Sequence, residues 1–388
     1  MEERTGLILT GGGARAAYQV GVLKAIAEFL PRRAHNPFPV VCGTSAGALN
    51  AATIAINAHS FRKGVRYLNN IWKNFHAGQI YRTDVLGVFS NSMRWIAGLV
   101  LSGLGINKLK QVSLLDNSPL QALLEDILPC EKIQDSIDAG LLYALSITAS
   151  GYGSGQSVTF YQGVEQLVPW RRTRRVGIPA QIEIKHLMAS SALPFIFQAA
   201  LINREYFGDG SMRQIAPISS ALHLGATRIL VIGVTGNGHE EQERDEVHEY
   251  PTLAHIAGHA LNSIFLDNME VDLERVRINN ELVEMMPEEL CKRADLKHVD
   301  VLVISPSQPI EKIAERYAAE LPWTIRLLLR MVGAMPQSSG GILLSYLLSE
   351  GKFCRALIDL GYRDALKQRE EIMRFLGGGP RQDEGMPQ

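Results

Sequence analysis

The stretch VVCGTSAGALNAA, residues 40–52, decides how the rest of this chain is read. It starts as a buried strand, turns at Gly43, exposes a hydroxyl at Ser45 and places a second glycine at Gly47 before an alanine-rich helix. A plain strand-to-helix turn needs one small residue. The pentad GTSAG fits G-x-S-x-G, an elbow that holds its serine on strained backbone at a strand's end, where small neighbours let a substrate approach. The same letters also describe a small-residue turn whose serine caps the following helix. Taken alone, the stretch leaves both readings open.

Working outward, strand and helix signals alternate. GLILT (6–10) is a short apolar strand ended by three glycines. ARAAYQVGVLKAIAEFL (14–30) sets Tyr18, Val22, Ala25 and Phe29 on one helical face and stops at Pro31. Residues 60–138 read as mostly helical, with a capped start at Ser118-Pro119. β signals return at 141–150 and 157–162, followed by a helix at 182–193. FQAALINREYFGDGS (197–211) reads as a hairpin, and RILVIGV and DVLVIS as two more buried strands. This alternation predicts an α/β fold with a central, mostly parallel sheet flanked by helices, plus a C-terminal helical extension. The expected division is a domain over 1–305, with a helical insertion at about 60–138, and helices with a disordered tail over 306–388.

TGGGARAAYQVG (10–21) sets Gly11, Gly12 and Gly13 just before a helix start. Free amides and the helix dipole there suit a phosphate or a developing oxyanion, and Arg15, in the first turn, is placed either to sit over the same anion or to pair with an acid. Gly11, Gly13 and Ala16 also satisfy the dinucleotide fingerprint. That motif wants an acid at the end of the second strand. Here the strand ends in Gly43-Thr44-Ser45, so the dinucleotide reading falls away.

A serine hydroxyl needs a base. Ten histidines are present, none in a glycine-flanked loop after a strand. His186 reads as packed on a helix, and His255 and His259 share a helical face, so all three are taken as structural. In YFGDGSMRQIAP (206–217), Asp209 stands between Gly208 and Gly210, free to aim a carboxylate at a neighbouring strand's end. An ordinary Asp-Gly turn has the same letters.

In this order, the glycine loop, GTSAG and DGS resemble the patatin-like lipid acyl hydrolases, and MASSALPFIF (188–197) resembles the segment that precedes their catalytic acid. The resemblance covers about residues 5–235, extending toward 305. It implies Ser45 as nucleophile and Asp209 as base in a dyad without histidine. It also implies Gly11, Gly12 and Gly13 as the oxyanion hole, with Arg15, Gly43, Gly47 and Gly210 as supporting motif residues. The implied chemistry is attack of Ser45 on a lipid or phospholipid ester, an acyl-enzyme, and release of a fatty acid by water, with no cofactor and no metal. A carboxylate of ordinary pKa, about 3.9, is a weak base, so Asp209 is expected to be shielded from water with its pKa raised. Two departures concern loop geometry: Ala16 and Ser211 stand where the family often has glycine, and glycine or alanine, respectively. An acyltransferase or thioesterase would use the same dyad. A non-catalytic lipid- or nucleotide-binding module is the alternative of a different kind.

With 46% hydrophobic and 20% charged residues and a net charge of -1 over 388 residues, the composition is that of a globular protein and argues against a nucleic-acid partner. Four scattered cysteines suggest reduced thiols and a cytoplasmic location. The apolar run at 95–106 is shorter than the ~18 residues of a span and reads as a buried, lid or interfacial helix. Trp72, Phe75 and residues 85–106 are candidates to wall an acyl channel or simply to fill a core. VPWRRTRRVG (168–177) suits an anionic membrane surface, or equally a solvated loop paired with the acidic run at 239–249. The C-terminal pattern is a candidate for a homodimer surface, a cover over the acyl pocket or a membrane contact.

Overall fold

The computed structural model describes residues 3–84, 93, 113–236, 253–294, 296–331 and 341–377. The run at 95–106, the acidic run at 239–249 and the tail from 378 lie outside the described residues.

A mixed, mostly parallel ten-stranded sheet organises the chain. Its strands are β1 (Thr5–Leu9), β2 (Val40–Thr44), β3 (Ala144–Gly151), β4 (Ser157–Gly163), β5 (Trp170–Arg172), β6 (Arg175–Pro179), β7 (Ala200–Ile202), β8 (Glu205–Asp209), β9 (Arg228–Ile232) and β10 (Asp300–Ile304). The order is β10-β9-β1-β2-β3-β4-β6-β5, parallel from β10 through β3. These central strands are near-continuous apolar runs because helices cover both faces. On one face lie α1 (Ala17–Phe29), α2 (Ala46–Ile56) and α3 (Phe61–Lys73), sharing a core with Leu7, Leu9, Val41 and Ile147. Small residues let α2 sit close to the sheet, with Gly47 through Ile56 all buried. On the other face, Ile8, Val40 and Cys42 pack beneath Ile218, Ala221 and the long helix Leu253–Met285 through Met269 and Leu273.

One detail of register builds the site. Along the β3 edge opposite β4, β2 runs parallel and pairs as far as Thr44 with Thr148. There β8 takes over from the opposite direction, pairing Asp209 with Ala149. The last residues of β2 and β8 therefore meet head to head, 165 positions apart in the chain (209 minus 44).

The expected helix at 182–193 is shorter, Ile184–Ser190, because the chain must turn before Pro194. VPWRRTRRVG is a hairpin: β5 and β6 join through Thr173 and Arg174, the latter at φ 58°. Helix α1 packs on the C-terminal helix Gly351–Lys367, where the Tyr18 hydroxyl donates to Asp364 Oδ2 at 3.2 Å. Asp364 also accepts the Ser307 hydroxyl at 2.6 Å, joining three distant segments.

Candidate active site

The elbow is strained where the motif requires it. Ser45 has φ 54° and ψ -130°, a conformation that non-glycine residues rarely adopt. Strain of this kind persists when surrounding contacts over-determine it. The Ser45 N–H donates to Ser190 Oγ at 2.8 Å, and the Ser190 hydroxyl donates to the Thr148 carbonyl at 2.6 Å. Gly43 abuts Ala48, and Gly47 lies against the carbonyls of Leu9 and Thr10, where no side chain would fit. That contact presses the glycine loop against the start of α2.

Ser45 Oγ donates to Asp209 Oδ2 at 2.6 Å, and the other carboxylate oxygen accepts the Ser211 N–H at 2.9 Å. Asp209 is completely buried and Ser45 is 2% exposed. Burial pushes the carboxyl up to about 6, while the hydrogen bonds from Ser45 and Ser211 pull the other way. The carboxylate is shielded from water, as a weak base at this position requires. Gly210 leaves no room for a side chain beside the Thr148 carbonyl, which holds the turn after Asp209 close to β3.

Gly13, at φ 57°, lines the same cavity as Ser45, with Gly11 and Gly12 just before it in the loop. A second buried network holds this loop. Gln19 Nε2 donates to the Thr10 carbonyl at 2.8 Å, Asn50 Nδ2 donates to Gln19 Oε1 at 2.9 Å, and Trp72 Nε1 donates to Asn50 Oδ1 at 2.8 Å. Polar groups this deep are retained where each has a partner. Here they fix the glycine loop, α1, α2 and α3 to one another.

Arg15 does not face an open anion site. It is fully buried, pairs with Glu311 Oε1 at 2.7 Å, donates to Ser345 Oγ at 2.8 Å and lies over the Tyr346 ring at 4.3 Å. The Tyr346 carbonyl lies against Gly13. The helix Gly341–Leu347 is thus clamped across the glycine loop.

The cavity at Ser45 is apolar and narrow, about 70 Å³, with Leu49, Trp72, Phe75, Ile80, Tyr81 and Phe197 among its walls. Trp72 and Phe75 belong to the core and also line this space. Tyr346, Leu347 and Ser349 close it from the C-terminal side. A larger open cleft of about 520 Å³ lies by β4 and β6, lined by Gln134, Tyr161, Gln162 and Glu165, and includes neither Ser45 nor Asp209.

His186 is packed as expected, its ring 4.8 Å from that of Phe160, and burial lowers its pKa to about 4. The side chains of His255 and His259 lie outside the described residues. Sequence reasoning missed Ser190, although MASSALPFIF pointed to its segment. It also missed Glu311 and Ser345, for which no local signal exists.

A family model described as patatin-like phospholipase matches residues 7–222, more than half of the 388. No curated protein sequence matches the chain. Among solved structures, VipD from Legionella pneumophila aligns over 95% of this chain and 67% of its own, at 13% identity and a TM-score of 0.39. No helix among the described residues is long and apolar enough to cross a membrane. From the matched motifs and the sheet that carries them, this chain belongs to the patatin-like phospholipase family.

Proposed function

We propose that this protein hydrolyses fatty-acyl esters of lipids or phospholipids, with Ser45 as nucleophile and Asp209 as its general base. The 2.6 Å hydrogen bond between them, beside an apolar cavity, is the observation that carries the reading.

A carboxyl with a pKa of about 6 is ionised at neutral pH yet basic enough to accept a proton as Ser45 Oγ bonds to the ester carbon. The carbonyl oxygen gains the negative charge. Amides of Gly11, Gly12 and Gly13, ahead of the α1 N-terminus, receive it, and each well-placed donor contributes about 100- to 1000-fold in rate. Collapse breaks the ester bond, and the alcohol leaves with the proton from Asp209. The acyl group stays on Ser45. Asp209 then deprotonates a water, which attacks the acyl carbon, and the fatty acid departs as Ser45 regains its proton. Leu49, Trp72 and Phe75 give an acyl chain an apolar wall.

The test is mass spectrometry of products from a mixed lipid extract, comparing wild type with Ser45→Ala, alongside labelling by a fluorophosphonate. Wild type should release free fatty acid and take the label at Ser45, and the variant should do neither. Equal release by both proteins, or an unlabelled Ser45, sinks the reading.

A further inference from the structure

Three large apolar side chains face water on segments that are tied to the walls of the cavity. Phe195 is 75% exposed, Trp323 59% and Leu327 50%. Phe195 also sits at φ 65°, so a ring that gains nothing from packing is held out on strained backbone. Its neighbours two positions away, Leu193 and Phe197, both line the cavity at Ser45.

Hydrogen bonds link the segment of Phe195, through residues 114–116 and 82–83, to the segment of Trp323. The Phe195 carbonyl accepts the Leu114 N–H at 2.9 Å, the Asp116 carbonyl accepts the Arg82 N–H at 2.9 Å, and the Thr83 carbonyl accepts the Thr324 hydroxyl at 2.8 Å. Tyr81, at the start of the same run, is a cavity wall. In the helix Trp323–Met331, the outward face carries Trp323, Arg326, Leu327 and Arg330, while Ile325, Leu328 and Leu329 are buried. Trp and Leu set beside arginines on one helical face is the pattern of an interfacial helix on anionic lipid. Asp84 and Asp116 act on Arg82, and Glu320 pairs with Lys352, so Arg326 and Arg330 supply the charge on the outward face of this helix.

The other aromatic-basic stretch does not present its ring. Trp170 is stacked between Tyr161 and His223, with ring centroids at 5.1 and 4.9 Å.

We infer that Phe195, Trp323 and Leu327, flanked by Arg326 and Arg330, form a docking rim that seats the cavity mouth on an anionic phospholipid surface. This rests on the acyl-hydrolase reading, because a rim there serves a substrate that leaves a bilayer by its acyl chain.

The experiment uses the full chain and sedimentation with vesicles of phosphatidylcholine, with and without phosphatidylglycerol. Phe195→Gly removes the ring and relieves the backbone, so the variant should fold. Phe195→Gly and Trp323→Gln should each weaken vesicle binding roughly tenfold. The Arg326→Gln/Arg330→Gln pair should abolish the preference for phosphatidylglycerol. Turnover of a monomeric short-chain ester should stay at the wild-type value in all of them. Unchanged vesicle binding in these variants overturns the rim. So does a wild-type dimer, broken by Phe195→Gly, that binds no vesicles, since the occupant is then a second copy. Loss of short-ester turnover in wild type strikes the hydrolase reading alone, and vesicle binding still decides the rim.

Discussion

The two walls of the Ser45 cavity are built in opposite ways. The elbow wall comes from short motifs whose glycines admit backbone contacts: Gly43 against Ala48, Gly47 against Leu9 and Thr10, and Gly210 against Thr148. The facing wall is the helix Gly341–Leu347, held by side chains that reach across the fold, with Arg15 gripping Glu311, Ser345 and Tyr346. The strained backbone of Ser45 belongs to the first wall, and the second is tied to the rest of the fold by long-range side-chain contacts. A nucleophile needs fixed geometry, which backbone contacts supply. The facing wall is held instead by a few side-chain contacts to distant segments.

Variants can break this contrast, and Asp209→Asn should act most strongly. On the elbow side it should lower turnover roughly 10³- to 10⁴-fold. Its effect on stability has a definite sign. The folded carboxyl keeps its proton up to about pH 6, against an ordinary value of 3.8. Across that window the folded state binds more protons than the unfolded, so wild-type stability falls as pH rises. Relative to wild type, the variant should gain roughly 1–3 kcal/mol over this window, read as a difference in Tm. The acid limb of wild-type kcat/KM should likewise lie near pH 6, and a limb at the ordinary aspartate value would count against the dyad.

Arg15→Ala tests the other wall. Removing one partner of a buried pair should cost about 3 kcal/mol and speed hydrogen exchange selectively in Gly341–Leu347. Uniform exchange across the chain would mean the clamp is ordinary core.

Ser190→Ala leaves the buried Ser45 N–H without its acceptor. It should cost about 1–3 kcal/mol in a denaturant titration, with turnover falling while KM holds. A rise in KM alone would remove Ser190 from the elbow. Tyr81→Phe is the mildest change. It deletes one hydrogen bond from a separate cavity-lining side chain to the facing wall, to the Leu347 carbonyl at 2.9 Å, and should cost about 1 kcal/mol. A loss as large as that of Arg15→Ala would show the walls to be a single unit.

Much of the fold was legible in local pattern. Apolar strand runs, the alanine-rich α2 and the punctuating glycines each encode a packing environment within a few residues. Ser45, Asp209 and the glycine loop were legible for the same reason, since special backbone needs special letters. The β5–β6 hairpin was not, because Trp170 and its arginines obey no period that separates a strand from a basic loop. Arg15 was placed only in general terms. Its motif position left it either over an anion or paired with an acid, and the acid that decides between them, Glu311, lies about 300 residues downstream.

By itself the sequence singled out Ser45, Asp209 and the glycines that flank them, because the demands of special backbone act on neighbouring residues. Tertiary structure alone decided that β8 meets β2 head to head at β3, that a C-terminal helix closes the cavity, and that Arg15 meets Glu311 and Ser345. Contacts between distant segments depend on how the sheet and helices assemble as a whole, and no local stretch of residues contains that information.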